Sequence, residues 1–274
     1  MNIAIVLCCY NRKLLTERCL AQLNTQSQFL ENDKIEFFIC DDNSNDGTYE
    51  MIKNNFPQMH LYKSKGNLYW CKSMHVAMQA AIKKNFDLFI MVNDDVDFAE
   101  NALKIMIQSY KEAGVKCGIV GTTSLPQSNI PSYGGRDDNG KILKPNDKLQ
   151  LCVWANWNCF LVDREVVEEI GIIDDKYQHS WGDYDYSYRM SVQNMPIYVA
   201  MKYIGECQKN SKNNTFADAS LKKSERLKKL FSPKGQPLYS YMRYHIRVYG
   251  KKGFFKYVYG YFSMIGYILM GKEL

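Results

Sequence analysis

No glycine precedes Gly47 in this chain of 274 residues. A glycine-rich loop that cradles a triphosphate after the first strand is therefore missing, which argues against a sugar nucleotidyltransferase. No C-x-x-C occurs, and the nine cysteines are odd in number and sit mostly inside apolar runs. That speaks against a zinc cage and a disulfide framework, and for thiols acting as small hydrophobes in a reducing cytosol. The four histidines (His60, His75, His179 and His245) show no ligand spacing and read as surface or core residues. No run approaches the ~20 apolar residues of a membrane-spanning helix. No basic residue precedes Arg12, so "MNIAIVLCCYNR" reads as a first strand and not as a signal peptide. Internal repeats and low-complexity segments are absent too.

The length suits one large domain, or one domain with an appendage. The net charge of +6 is unevenly spread. Residues 221–274 hold 12 Lys/Arg against 2 Asp/Glu, leaving 23 against 27 of the chain's 35 and 29 for the remainder. An acidic body with a basic tail predicts a tail that meets an anionic surface.

Short apolar runs alternate with helix-like patterns through the first two hundred residues. "IAIVLCC" (3–9) precedes a helix near 13–24, and "IEFFIC" (35–40) runs into "DDNSNDGT" and a short helix. "MHLYK" (59–63) leads to a helix over 70–84, and "FDLFIMV" (86–92) to a helix over about 99–113. This spacing predicts right-handed crossovers and an α/β fold on a mostly parallel central sheet with flanking helices. Ligands collect outside the carboxyl ends of such strands. Farther on, "LCVWANWNCFLV" (151–162) reads as one longer strand. In "WGDYDYSYR" (181–189), Asp183 would start a helix and Asp185 would pair with Arg189 at i,i+4.

The polar strand ends carry the chemistry. Asp94, Asp95 and Asp97 follow an apolar strand; they suit either a divalent cation completed by substrate phosphates or a solvated turn. Asp41 and Asp42 follow "FFIC", where a carboxylate can accept from a nucleobase N–H, while Asn45, Asp46 and Gly47 serve the turn and cap. Asp183 is either a helix cap or a general base. Trp154, Asn156 and Trp181 are candidates for an acceptor-sugar site, since aromatic faces suit sugars; tryptophan is as readily core.

"IAIVLCCYNR", "FFICDDNSNDGT", "VNDDV" and "GDYDYSYR", in this order, resemble the family 2 glycosyltransferases of the GT-A fold, the inverting kind that builds bacterial cell-surface polysaccharide. The resemblance spans about residues 1–205. It implies transfer of a sugar from a nucleotide diphosphate donor (a UDP- or dTDP-sugar) to a glycan or lipid-linked acceptor, with inversion and usually with Mg²⁺ or Mn²⁺. It implies Tyr10 and Asp42 at the base, Arg12 and Lys72 near the nucleotide, Asp94 at ribose and donor sugar, Asp95 on the metal and Asp183 as catalytic base. Cys8 stands where the family has a Thr, and Asn93 where the metal motif has its first carboxylate. For a third metal ligand the sequence offers Glu206, Cys207 or none. A non-catalytic nucleotide-sugar-binding relative is the main alternative.

Residues 1–215 are accordingly expected to form the nucleotide-sugar-binding and catalytic domain, and 216–274 a basic, aromatic-rich helical extension. Tyr, Phe and Lys/Arg mixed with Ile, Leu and Met suit a helix lying in a membrane interface; the alternative is a pair of helices packed on the body. Nucleic acid is not an expected partner, because no reader motif accompanies the charge. The protein is expected at the inner, cytoplasmic face of the cell membrane. Cutting near residue 230 is expected to leave a more soluble body.

Overall fold

The computed structural model describes residues 1–30 and 33–272. In chain order it runs β1 (Asn2–Cys9), α1 (Lys13–Gln28), β2 (Lys34–Asp41), α2 (Thr48–Asn55), β3 (His60–Lys63), α3 (Tyr69–Ala81) and β4 (Leu88–Asn93). Next come β5 (Asp97–Phe98), α4 (Ala102–Ala113), β6 (Gly118–Ser124), β7 (Pro131–Tyr133), β8 (Gly135–Arg136), β9 (Gln150–Cys152), β10 (Trp154–Ala155) and β11 (Cys159–Asp163). The chain continues through α5 (Arg164–Ile170), α6 (Gly182–Val192), β12 (Ile197–Glu206), α7 (Lys223–Leu230), α8 (Leu238–Tyr249) and α9 (Lys251–Leu269).

The main sheet has the order β3-β2-β1-β4-β11-β6-β12-β5. The pairs β1–β2, β2–β3, β1–β4 and β6–β12 are parallel, as the strand–helix alternation predicts, while β11 lies antiparallel between β4 and β6. Strand periodicity sorts the side chains. Ile3, Ile5 and Leu7 enter one core with Leu20, Leu23 and Leu103, while Ala4, Val6 and Cys8 enter the other with Met74, Met78 and Tyr186. Both faces are covered, so these strands read as unbroken apolar runs.

Residues 151–162 do not form one strand. They supply β9, β10 and β11, and the loop Asn156–Asn158 interrupts them. That break directs Asn156 toward the crevice while Cys159–Asp163 stays buried. Helix α6 begins at Gly182 after Trp181, which has φ 81°, so Asp183 lies inside the first turn and is not its cap. A Cβ at residue 182 would come within 2.7 Å of Cys71 Sγ, which explains the glycine.

The basic tail packs on the body. Arg243 Nη2 and Arg247 Nη2 stand 2.6 and 3.2 Å from Asp174 Oδ2. Arg247 Nη1 donates to both oxygens of the fully buried Asp185, which also accepts from Tyr177 and, as expected at i,i+4, from Arg189. Trp181 stacks on Tyr244 at 4.5 Å between ring centres. This is the packing alternative for α8, and charge neutralisation against Asp174 and Asp185 is its physical reason. The outer face of α9 stays exposed, with Phe255, Tyr259 and Phe262 each more than 70% accessible. Among the described residues, no helix is long and apolar enough to cross a membrane.

Candidate active site

The carboxyl ends of β1, β2 and β4 open on two adjoining cavities of about 390 and 280 Å³, which share a wall of Cys8, Arg12, Trp70, Asp94 and His179. The larger is also lined by Asp95, Asn156, Trp181 and Asp183, the smaller by Tyr10 and Asp42. Residues spread over more than 170 positions of sequence therefore converge on one crevice.

The acidic cluster at the end of β4 is partly answered from within the chain. Arg12 Nη1, just before α1, donates to Asp94 Oδ1 at 3.1 Å and Asp95 Oδ2 at 2.9 Å. Thr16 Oγ1 donates to the second oxygen of Asp94 at 2.8 Å. Burial pushes the Asp94 carboxyl up to about 6, against the opposing pull of Arg12 and Thr16. Asp95 Oδ1 is buried without a hydrogen-bond partner. An orphaned carboxylate oxygen beside a cavity suits a divalent cation, because Mg²⁺ takes one or two carboxylates and completes its shell with substrate phosphates and water. Among the described residues, no three His, Cys, Asp or Glu side chains form a cage by themselves. Of the candidate third ligands, Glu206 is spent elsewhere, its Oε1 accepting from Gln127 N at 3.0 Å. Cys207 is near enough for the Asp95 charge to act on its thiol, but burial above all holds that thiol protonated, up to about 12. The described geometry thus fits a cation held by Asp95, with Asp94 beside it.

Asp42 lines the smaller cavity and also orders its rim. It accepts from Ser64 Oγ at 2.6 Å, Leu68 N at 3.1 Å and Tyr69 N at 2.9 Å. Tyr10 is half exposed above the same cavity. Cys8 is buried, and its thiol reaches the carbonyl of Trp70 at 3.7 Å. Two candidates lie away from the lining. Lys72 sits in the first turn of α3 but, among the described residues, lines neither cavity. Trp154 lines neither as well; its ring packs at 5.9 Å from Tyr184 and 6.4 Å from Tyr244, as a strut for the tail.

Asp183 is 8% exposed and faces the larger cavity with Asp94 and Asp95. Its oxygens accept from Tyr184 N at 3.0 Å and from Asn156 Nδ2 at 3.3 Å. The start of a helix favours an ionised carboxylate, yet burial outweighs it and pushes the Asp183 carboxyl up to about 6. Asn156 Oδ1 is buried and unpartnered. Its amide can therefore donate to the carboxylate, or turn over and accept from the carboxylic acid.

Among the lining residues that sequence reasoning missed are His179, Lys234 and Gln236. His179 borders both cavities; burial, then Lys234 and Arg12, lower its proton affinity to about 4, so it stays neutral. Lys234 lines the smaller cavity and Gln236 the larger, both from the segment between α7 and α8. The stretch "QHSW" directly before "GDYDY" is a signal for His179. No local signal marks Lys234 or Gln236, since only tertiary packing brings the tail to the crevice.

The family model for glycosyl transferase family 2 matches residues 4–171, more than half of the chain. The crystal structure of S. aureus TarS 1–349 is similar in fold, with 13% identity and a TM-score of 0.57, covering 97% of this chain and 74% of that one. No curated protein matches the sequence. The strand order, the acidic crevice at the strand ends and the matched residues together place this chain in glycosyltransferase family 2, on a GT-A fold.

Proposed function

We propose that the protein is an inverting glycosyltransferase that moves a sugar from a nucleotide diphosphate donor, a UDP- or dTDP-sugar, to a glycan or lipid-linked acceptor in cell-surface polysaccharide synthesis. The observation that carries this is the placement of Asp183 and the Asp94–Asp95 pair on one cavity. The smaller cavity, with Tyr10 and Asp42, receives the base and ribose. The larger receives donor sugar and acceptor, with Trp181 and Asn156 along its wall. A base must be ionised at working pH yet basic enough to take a hydroxyl proton, and a carboxyl near 6 meets both demands. Asp183 takes the acceptor hydroxyl's proton as the new glycosidic bond forms and the bond to the diphosphate oxygen breaks. Asn156 follows the proton by turning its amide. Mg²⁺ or Mn²⁺ at Asp95 would neutralise the charge of the departing diphosphate. A purely binding relative has no use for a second, buried carboxylate in the sugar cavity.

The deciding experiment is incubation of the purified protein with a panel of UDP- and dTDP-sugars and Mn²⁺, with release of nucleoside diphosphate as readout. Release that Asp183→Asn abolishes supports the reading. Binding of a nucleotide sugar without release, under all acceptors tried, would favour the non-catalytic relative.

The exposed face of α9 extends the proposal to location. Phe255, Tyr259 and Phe262 recur at i, i+4 and i+7 and share their surroundings with the exposed Lys251, Lys252 and Lys256. Aromatic rings flanked by lysines match an anionic membrane surface, at the cytoplasmic side where a lipid-linked acceptor would be met.

A further inference from the structure

We infer that Lys234, in the C-terminal extension, is a phosphate-binding residue of the donor site, and that the extension thereby completes the crevice that the first two hundred residues begin. The inference rests on the reading of the crevice as a nucleotide diphosphate-sugar site. It starts from a charge problem. Among the described residues, the two cavities are lined by four carboxylates (Asp42, Asp94, Asp95 and Asp183) and by two cations, Arg12 and Lys234. A diphosphate entering such a crevice is repelled unless a positive group is free to meet it. Arg12 is committed, because its Nη1 serves Asp94 and Asp95 at once. Lys234 makes no ion pair or hydrogen bond with any described residue, so its ammonium is available.

The segment that carries Lys234 is held in place. Gln236 N donates to Leu230 O at 2.7 Å and Gly235 N to Ser232 O at 2.9 Å. A Cβ at residue 235 would fall 2.2 Å from Lys229 O, so only glycine fits there. Trp181 Nε1 donates to Gln236 Oε1 at 2.9 Å, and the Tyr261 hydroxyl of α9 closes on the Gln236 carbonyl. The loop is thus tied on one side to the residue two before Asp183 and on the other to the terminal helix. Lys234 on this fixed turn lines the smaller cavity together with Arg12, Asp94 and His179. Its charge acts on His179, which stays neutral and does not compete for the anion.

The test is calorimetry of UDP and dTDP, and of uridine and thymidine, against wild type, Lys234→Ala and Lys234→Arg, each with Mn²⁺ and with chelator. The side chain is exposed and unpartnered, so both variants should melt at the wild-type temperature. Lys234→Ala should weaken the diphosphate by about ten- to a hundred-fold, the scale of one hydrogen bond to a charged group. It should leave nucleoside affinity unchanged, and Lys234→Arg should restore most of the loss. Undiminished diphosphate affinity in Lys234→Ala, or equal loss for nucleoside and diphosphate, overturns the assignment while leaving the donor site standing. If the wild type bound neither diphosphate, the reading of the crevice itself would fall.

Discussion

Asp183 combines opposed demands in one side chain. Burial stores a proton-hungry carboxyl in the cavity wall, and Asn156 is placed to satisfy either protonation state. Asp183→Asn keeps the shape, and the Asn156 amide can turn to meet it. Donor affinity should stay within a few-fold of wild type while turnover falls by about 10²–10⁴, the scale of a positioned base. Near-normal turnover at saturating substrates would reduce Asp183 to a structural residue. Asp95→Ala should leave the fold intact but abolish any Mn²⁺-dependent part of nucleotide binding, because it removes an orphaned carboxylate oxygen at the strand end. Calorimetry with and without chelator reads this directly, and an undiminished Mn²⁺-dependent affinity would refute the metal assignment. The residue scale also explains which site residues were legible. Asp94, Asp95 and Asp183 stand out because carboxylates beside apolar strands and aromatic residues are anomalous in sequence. Lys72 lines neither cavity because in α3 its neighbours Trp70 and Ser73 take the lining face.

At the scale of elements, α8 turns the tail from an appendage into a wall. Arg247 neutralises a carboxylate with no exposed surface, and Trp181 is sandwiched between α6 and the tail's Tyr244. Arg247→Ala should destabilise the fold by about 1–3 kcal/mol, since Tyr177 and Arg189 still serve Asp185. A urea titration measures it, and an unchanged midpoint would show that the pair carries no net stability. Cutting the chain near residue 230 would strip both arginines and uncover Trp181, so the shortened protein should aggregate, contrary to the expectation of a more soluble body. The proposed membrane face lies on α9, where Phe255, Tyr259 and Phe262 are exposed. Phe255→Ser with Phe262→Ser should leave melting unchanged, because both rings are exposed. The same pair should abolish cosedimentation with anionic vesicles. Equal sedimentation of the double variant and the wild type would remove the membrane proposal without touching catalysis.

In the pH dependence of the whole molecule, the contribution of Asp183 to stability should run opposite to its contribution to activity. Burial raises the Asp183 carboxyl from an ordinary value of 3.8 to about 6, so between those values the folded state holds a proton that the unfolded state has lost. Folding stability from this group is therefore full below about 4 and is lost as pH rises through about 6. The loss is on the order of 2–3 kcal/mol by the usual conversion. Turnover should rise over the same interval as the base ionises. By unfolding midpoints, from pH 4 to 7.5 the wild type should lose more stability, or gain less, than Asp183→Asn; an identical pH dependence would mean that the carboxyl titrates normally.

What the sequence determined by itself is the alternation of strands and helices through β4, the acidic strand ends and the family motifs. These are local properties: period-two burial, turn chemistry and carboxylates adjacent to apolar runs all lie within a few residues of one another. The break of 151–162 into three strands, the antiparallel insertion of β11 and the arrival of Lys234 and Gln236 at the crevice were decided only by the tertiary structure. Each depends on partners far away in the chain. Asp185 meets Arg247 across 62 positions and Trp181 meets Gln236 across 55. No local pattern distinguishes an arginine that will neutralise a buried carboxylate from one that will face a membrane. Burial made that choice, because a charge that loses its water must find a partner.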